Sequence, residues 1–146
     1  MTALDRFIAG LFIISKPGNL FTRYRLGLGL IARQMHRMRK TIPCRNLPTS
    51  GFHHDLWQHG QKGQMYRHLY FHLGCVLLGP AGHLLSRAMD WLDRRQQKSG
   101  RLESATEVRD NIAGRECGRI LKTYLRGKSD QATARRQLRR LLREEV

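Results

Sequence analysis

The segment from Gln64 to Gln97 constrains this chain most: it is rich in Leu, Tyr, Phe and Met, and between Leu69 and Leu85 the apolar residues surround the helical cylinder. A helix apolar nearly all round must be buried, so the remaining elements are expected to pack around it. Gly79-Pro80-Ala81-Gly82 interrupts the segment. Proline lacks a donor and clashes with the preceding turn, which predicts two helices or one sharp kink.

The flanking sequence is helical as well. Thr2 with Asp5 three positions on has the spacing of a capping box, predicting a helix over 3–15 that Pro17-Gly18 ends, with Asn19 to cap the next. Leu20, Tyr24, Leu28, Ile31, Met35 and Met38 then recur at helical spacing with Arg23, Arg33, Arg37 and Lys40 outside the stripe, an amphipathic basic helix over 19–40. Residues 41–63 carry Pro43, Pro48, Gly51, Gly60 and Gly63 and read as a long loop; His53, His54, His59, Asp55 and Trp57 within it suit either a cover over a site or solvated surface. Past Ser99-Gly100, Ser104 and Glu107 have capping-box spacing for a helix to about Leu125. Gly127-Lys128-Ser129 separates that helix from a last one, 130–144, with Ala134, Leu138, Leu141 and Leu142 inward and Arg135, Arg136, Arg139, Arg140 and Arg143 outward. No strand pattern or repeat is found. The expectation is an all-α, single-domain bundle of about five helices over 1–146, with basic amphipathic helices in 1–40 and a helical core in 64–146.

Composition limits the function classes. The 146 residues include 27 Lys and Arg against 11 Asp and Glu, a formal net charge of +16. Such a surface attracts polyanions: nucleic acid, a phosphate-bearing substrate, acidic lipid, or an acidic neutralising protein. Cys44, Cys75 and Cys117 have no C-x-x-C spacing, which argues against structural zinc and a disulfide framework. The apolar run Phe7–Ile14 is far short of the roughly 20 residues that span a bilayer, and its flanks lack the marks of a cleavable signal. The default expectation is a cytoplasmic protein, with peripheral membrane association or delivery as an effector as alternatives.

Chemistry is concentrated in two stretches. His68, His72, Cys75 and Gly79 follow i, i+4, i+7, i+11 on the central helix, while Glu107, Asp110, Gly114, Gly118, Leu121 and Leu125 share a face of the later one, with Asn111 at its edge. If the two faces meet, the glycines let the backbones approach and the carboxylates arrive beside the histidines. His68, His72, Glu107 and Asp110 are then the candidate catalytic residues, poised to exchange protons near neutral pH. His68, His72 and Asp110 equally suit a divalent metal with an open position. Arg67, Arg109, Asn111 and Arg115 are the candidate substrate contacts, the arginines clamping an anionic group. The structural alternative is that Glu107 caps its helix, the histidines bond backbone carbonyls, and Asp110 pairs with Arg67 or Arg115. The spacing lacks the glutamate of an H-E-x-x-H metalloprotease helix.

Arg67-His68 opening a buried helix, followed by Glu107, Asp110-Asn111, Gly114-Arg115 and Gly118, resembles a helical bacterial toxin-associated domain family that reads R-H and then D-x-x-N-N-x-x-G-R-x-x-G. Glu107 stands where that family has aspartate, and Asp110 where it has the first asparagine. The family's acidic step between the motifs has Asp90 or Asp93 as its nearest counterparts. The resemblance covers about a third of the chain and implies a hydrolase-like role. The leading functional expectation is therefore a small toxin- or effector-like hydrolase, metal-assisted or not, acting on a phosphodiester or lipid headgroup. The alternative is a non-catalytic basic protein that grips nucleic acid or an anionic membrane through 19–40 and 130–145.

Overall fold

The computed structural model describes every residue except 16–19, 40–46, 58–61, 99–102 and 144–146. Its helices are α1 (Ala3–Ile14), α2 (Leu20–Arg39), α3 (Lys62–Leu78), α4 (Pro80–Lys98), α5 (Glu103–Leu125) and α6 (Gln131–Leu142), with a 3-10 turn at His54–Leu56. No strand occurs among the described residues, and the fold is all-α. None of the helices searched is long and apolar enough to cross a membrane. The Pro17-Gly18 and Ser99-Gly100 breaks, the Asn19 cap, Cys44 and His59 lie outside the described residues.

The central segment is two helices. Gly79 has φ +87°, a left-handed conformation that a side chain disfavours, and its carbonyl accepts from His83 N at 2.9 Å to open α4. Pro80 takes the first helical position, where its missing N–H leaves no bond unmade. The chain then folds back so tightly that a Cβ on Gly82 would lie 1.9 Å from the Cys75 carbonyl oxygen.

Helix α3 is the axis of the bundle, packing most extensively on α5 and then on α2 and α4. Met65, Leu69, Leu73 and Leu77, one turn apart, are fully buried and join Leu4, Ile8 and Leu11 of α1, Leu121 of α5, and Leu138 and Leu142 of α6 in one cluster. Each such side chain contributes about 1.5–3 kcal/mol by leaving water, enough for α3 to carry a polar stripe on its other face.

The capping box of α1 is present: Thr2 Oγ1 accepts from Asp5 N at 3.1 Å, and Asp5 Oδ2 accepts from Thr2 N at 3.0 Å. Phe7, Ile8, Leu11 and Phe12 of the apolar run are buried in the core, while Ile13 is exposed. On α6, Asp130 caps the start and Ala134, Leu138 and Leu142 are buried, as the periodicity predicts. The part of the long loop that is described is docked rather than open. Phe52 and Leu56 are buried, His53 N donates to Leu142 O at 2.8 Å, and the Tyr66 hydroxyl donates to Pro48 O.

Helix α2 departs from the expected stripe. Tyr24 is 41% and Leu28 59% exposed, whereas Arg23, Leu26 and Leu30 are buried and Ile31 alone of the described stripe turns inward as expected; the side chains of Leu20, Met35 and Met38 are outside the described set. The cause is a glycine crossing: a Cβ on Gly27 would lie 2.8 Å from Gly74 O, and one on Gly74 would lie 2.9 Å from Gly27 O. Closest approach, not apolar count, decides which face turns inward. Arg23, placed on the outer face by periodicity, is only 6% exposed, and its Nε and Nη1 have no hydrogen-bond partner.

Candidate active site

The glycine-bearing faces of α3 and α5 do meet. A Cβ on Gly114 would lie 2.9 Å from Leu69 O and 3.0 Å from His68 O, and one on Gly118 would lie 2.6 Å from Val76 Cβ. This contact brings α5 against the histidine stripe. Cys75 and Gly79 are not part of it: Cys75 packs with Ile31 and Phe71, and Gly79 forms the α3–α4 junction.

Asn111 is the hub. Its Nδ2 donates to Asp93 Oδ2 at 2.7 Å and to Asp90 Oδ1 at 3.2 Å, while its Oδ1 is 2.6 Å from His68 Nδ1. Ionised carboxylates only accept, so the amide nitrogen must face them and its oxygen must face the ring. An amide oxygen also only accepts, so His68 Nδ1 carries the proton. On the neutral ring the lone pair is then at Nε2.

His72 is held in parallel. Its Nδ1 is 2.7 Å from Ser86 Oγ, which also lies 3.5 Å from Arg115 Nη1 as donor. Arg115 and Arg94 flank Asp90 at 3.7 and 2.7 Å. The two imidazoles lie nearly parallel, centroids 6.3 Å apart. Neither ring bonds a backbone carbonyl among the described residues; both are anchored by side chains.

Electrostatics set the rings neutral. Burial lowers His72 to about 3, with the neighbouring His68 and Arg115 pushing the same way. Burial also lowers His68, against the Asn111 hydrogen bond and the Asp93 charge, which raise it. In both rings desolvation outweighs the acidic neighbours and favours the neutral form. Burial alone would raise Asp90, but hydrogen bonds from Arg94 and Asn111 and the charge of Arg115 hold it lowered.

A cavity of about 210 Å³ opens over this network, walled by Arg67, His68, His72, Asp93 and Glu107 among others. His68, His72 and Asp93 offer ligand atoms within 4.8 Å of one another, the one metal-competent group among the described residues searched. Glu107 is buried and its Oε1 accepts from Gln64 Nε2 at 2.8 Å; since α5 begins at Glu103, the proposed cap at Ser104 falls inside the helix, and the Ser104 side chain lies outside the described set.

Three expected residues stand elsewhere. Asp110 belongs neither to the cavity wall nor to the metal-competent group; it is fully buried, and neither carboxylate oxygen has a hydrogen-bond partner, from Arg67, Arg115 or any other group. One position along a helix turns a side chain by about 100°, so Asn111 points into the network and Asp110 away from it. Arg109 pairs with Asp55 at 2.8 Å on the outside of α5. Arg115 sits behind His72 rather than at the cavity wall, as a positioning group.

Ser86 has no place in the site read from the sequence, and Asp93 enters it only as one of the two nearest counterparts of the family's acidic step. A signal for them exists: Gly82, Ser86, Met89 or Asp90, Asp93 and Gln96 share one face of α4 at the same spacing as the histidine stripe. Comparison with protein-family models, with curated protein sequences and with solved structures found no match.

Proposed function

We propose that the α3–α4–α5 cavity is the active site of a small toxin- or effector-like hydrolase acting on an anionic substrate, a phosphodiester or a phosphate-bearing headgroup. The observation that carries this reading is the convergence of Arg67, His68, His72, Asp93 and Glu107 on one cavity. Catalytic centres require such a mix of neutral base, carboxylate and cation in a partly dry site. Arg67 supplies charge for a phosphate oxygen. Glu107 takes a proton from water, the water oxygen forms a bond to phosphorus, and the P–O bond to the leaving group breaks. The proton passes from Glu107 to the departing oxygen. The net charge of +16 favours capture of polyanions.

The residues that carry the family resemblance support the same reading. Arg67-His68, Glu107 and Asn111 come together with Asp93, one of the two nearest counterparts of the acidic step, with Arg115 behind them and Gly114 and Gly118 in the helix contact that seats them, while Asp110 points away.

A non-catalytic polyanion binder is the second reading, favoured by the exposed Arg136, Arg139 and Arg140 of α6 and by Arg143 just past its end. Part of that face serves the fold instead: Arg139 pairs with Asp5 at 2.8 Å, and Arg135 lies over the Phe12 ring. The test incubates the purified protein, with divalent ions supplied, with bis(p-nitrophenyl) phosphate, DNA, RNA and anionic phospholipid vesicles. Hydrolysis of one of these, lost in Glu107→Gln with helicity retained, supports the hydrolase. No turnover, with DNA binding that weakens linearly in log salt, replaces it with the binder.

A further inference from the structure

We infer that His68, His72 and Asp93 are the protein ligands of a single divalent first-row transition-metal ion, bound at the cavity wall with at least one coordination position open to water or substrate. The three come from two helices, α3 and α4, and their ligand atoms lie within 4.8 Å of one another. Small side-chain rotations bring such a group to the 2.0–2.2 Å or so that imidazole nitrogen and carboxylate oxygen take around zinc.

The hydrogen bonds say which atoms are left for the ion. His68 Nδ1 is engaged by Asn111 and His72 Nδ1 by Ser86, which makes Nε2 the expected donor of each ring, with Asn111 acting on His72 as well. Asp93 Oδ2 accepts from Asn111, leaving Oδ1. Metal-ligating histidines characteristically have their other nitrogen fixed by a neighbouring group, which sets tautomer and ring orientation. Here a single amide, Asn111, orients two of the three ligands at once, and Ser86 with Arg115 behind it orients the third.

The donor set names the class of ion. Two imidazoles and one carboxylate suit zinc, iron(II), manganese or cobalt, whereas magnesium and calcium prefer all-oxygen shells. Three protein ligands with a position open mark a catalytic rather than a structural ion. Asp110, the carboxylate expected from sequence, has no part in the site.

The inference stands on the ligand geometry, and only its catalytic consequence rests on the hydrolase reading. The experiment titrates chelator-treated full-length protein with Co²⁺, following visible ligand-field absorption and stoichiometry by equilibrium dialysis, with Zn²⁺ as competitor. The expected result is one Co²⁺ per chain, displaced by Zn²⁺. Binding is lost in His72→Gln, which keeps a group able to bond Ser86, and in Asp93→Asn, both with unchanged circular dichroism. Asn111→Ala weakens it about 10–100-fold, and His53→Ala with His54→Ala leaves it intact. Binding equally tight in wild type and His72→Gln overturns the inference, as does no Co²⁺ spectrum in folded wild type. If a ligand variant is unfolded, Asn111→Ala decides: unchanged affinity overturns, weakened affinity supports. A stoichiometric ion without hydrolysis leaves the metal site standing and removes the hydrolase, whereas hydrolysis by metal-free protein leaves the hydrolase standing and removes the ion's part in it.

Discussion

Asn111 Nδ2 and Asp93 Oδ2 are joined by a 2.7 Å hydrogen bond between α5 and α4, and the same amide holds His68 through its oxygen at 2.6 Å. One side chain therefore fixes three helices to one another at the site. Asn111→Asp puts a third carboxylate against Asp90 and Asp93 in place of a donor. Thermal unfolding should show Asn111→Asp less stable than Asn111→Ala at pH 7, because like charges are added to a lost bond. An Asp variant as stable as the Ala variant contradicts the orientation assigned to the amide.

The glycines divide by what surrounds them. A Cβ on Gly118 meets Val76 Cβ at 2.6 Å and one on Gly82 meets the Cys75 carbonyl oxygen at 1.9 Å, whereas Gly10 and Gly29 have nothing within 4 Å. Gly118→Ala and Gly82→Ala are expected to lose about 1–3 kcal/mol from forced backbone shifts. Gly10→Ala and Gly29→Ala are expected to gain about 0.5–1 kcal/mol from helix propensity. Chemical denaturation of the four variants checks both signs.

Asp110 gives a pH signature. Burial raises its carboxyl well above 3.8, Glu107 adds to the rise, and Arg109 opposes it. The folded state therefore binds the proton more tightly than the unfolded chain. This contribution is fully present below the unfolded value near 3.8 and is lost as pH rises through the higher folded value. Asp110→Asn removes that dependence. Melting curves between pH 4 and 8 should show the variant gaining on wild type as pH rises, and a constant difference across that range contradicts the assignment.

Arg23 is a buried guanidinium whose Nε and Nη1 have no partner, its flat face over the Tyr24 ring at 5.1 Å. Leaving such groups unsatisfied costs about 1–3 kcal/mol, more when charged. Arg23→Met keeps the stem and removes the charge, and is expected to raise Tm; a lower Tm shows that the guanidinium is satisfied in solution.

Local chemistry in the sequence foretells the capping of α1, the inward face of α6, the break at Gly79-Pro80, and the meeting of α3 and α5 through Gly114 and Gly118. Each depends on residues close in sequence or on a small-residue face with a distinct pattern. The inward face of α2 was not legible, because Gly27 sets it by closest approach and glycine carries no hydropathy signal. The histidine side of the site was legible from spacing, whereas Asp90 and Asp93 were reached only through the family resemblance, because it takes the reversal at Gly79 to turn their face of α4 toward the histidines. Asp110 and Asn111 are adjacent, and helical spacing set Asp110 on the shared face with Asn111 at its edge, whereas Asn111 turns into the network and Asp110 away from it.

The most direct measurement is an anomalous difference map from crystals of the full-length protein grown with Zn²⁺, collected above and below the zinc edge. The account predicts a peak within bonding distance of His68 Nε2, His72 Nε2 and Asp93 Oδ1, with Asn111 still bridging Asp93 and His68. A well-ordered cavity with no peak there, or a peak held by His53, His54 or Asp110 instead, contradicts it.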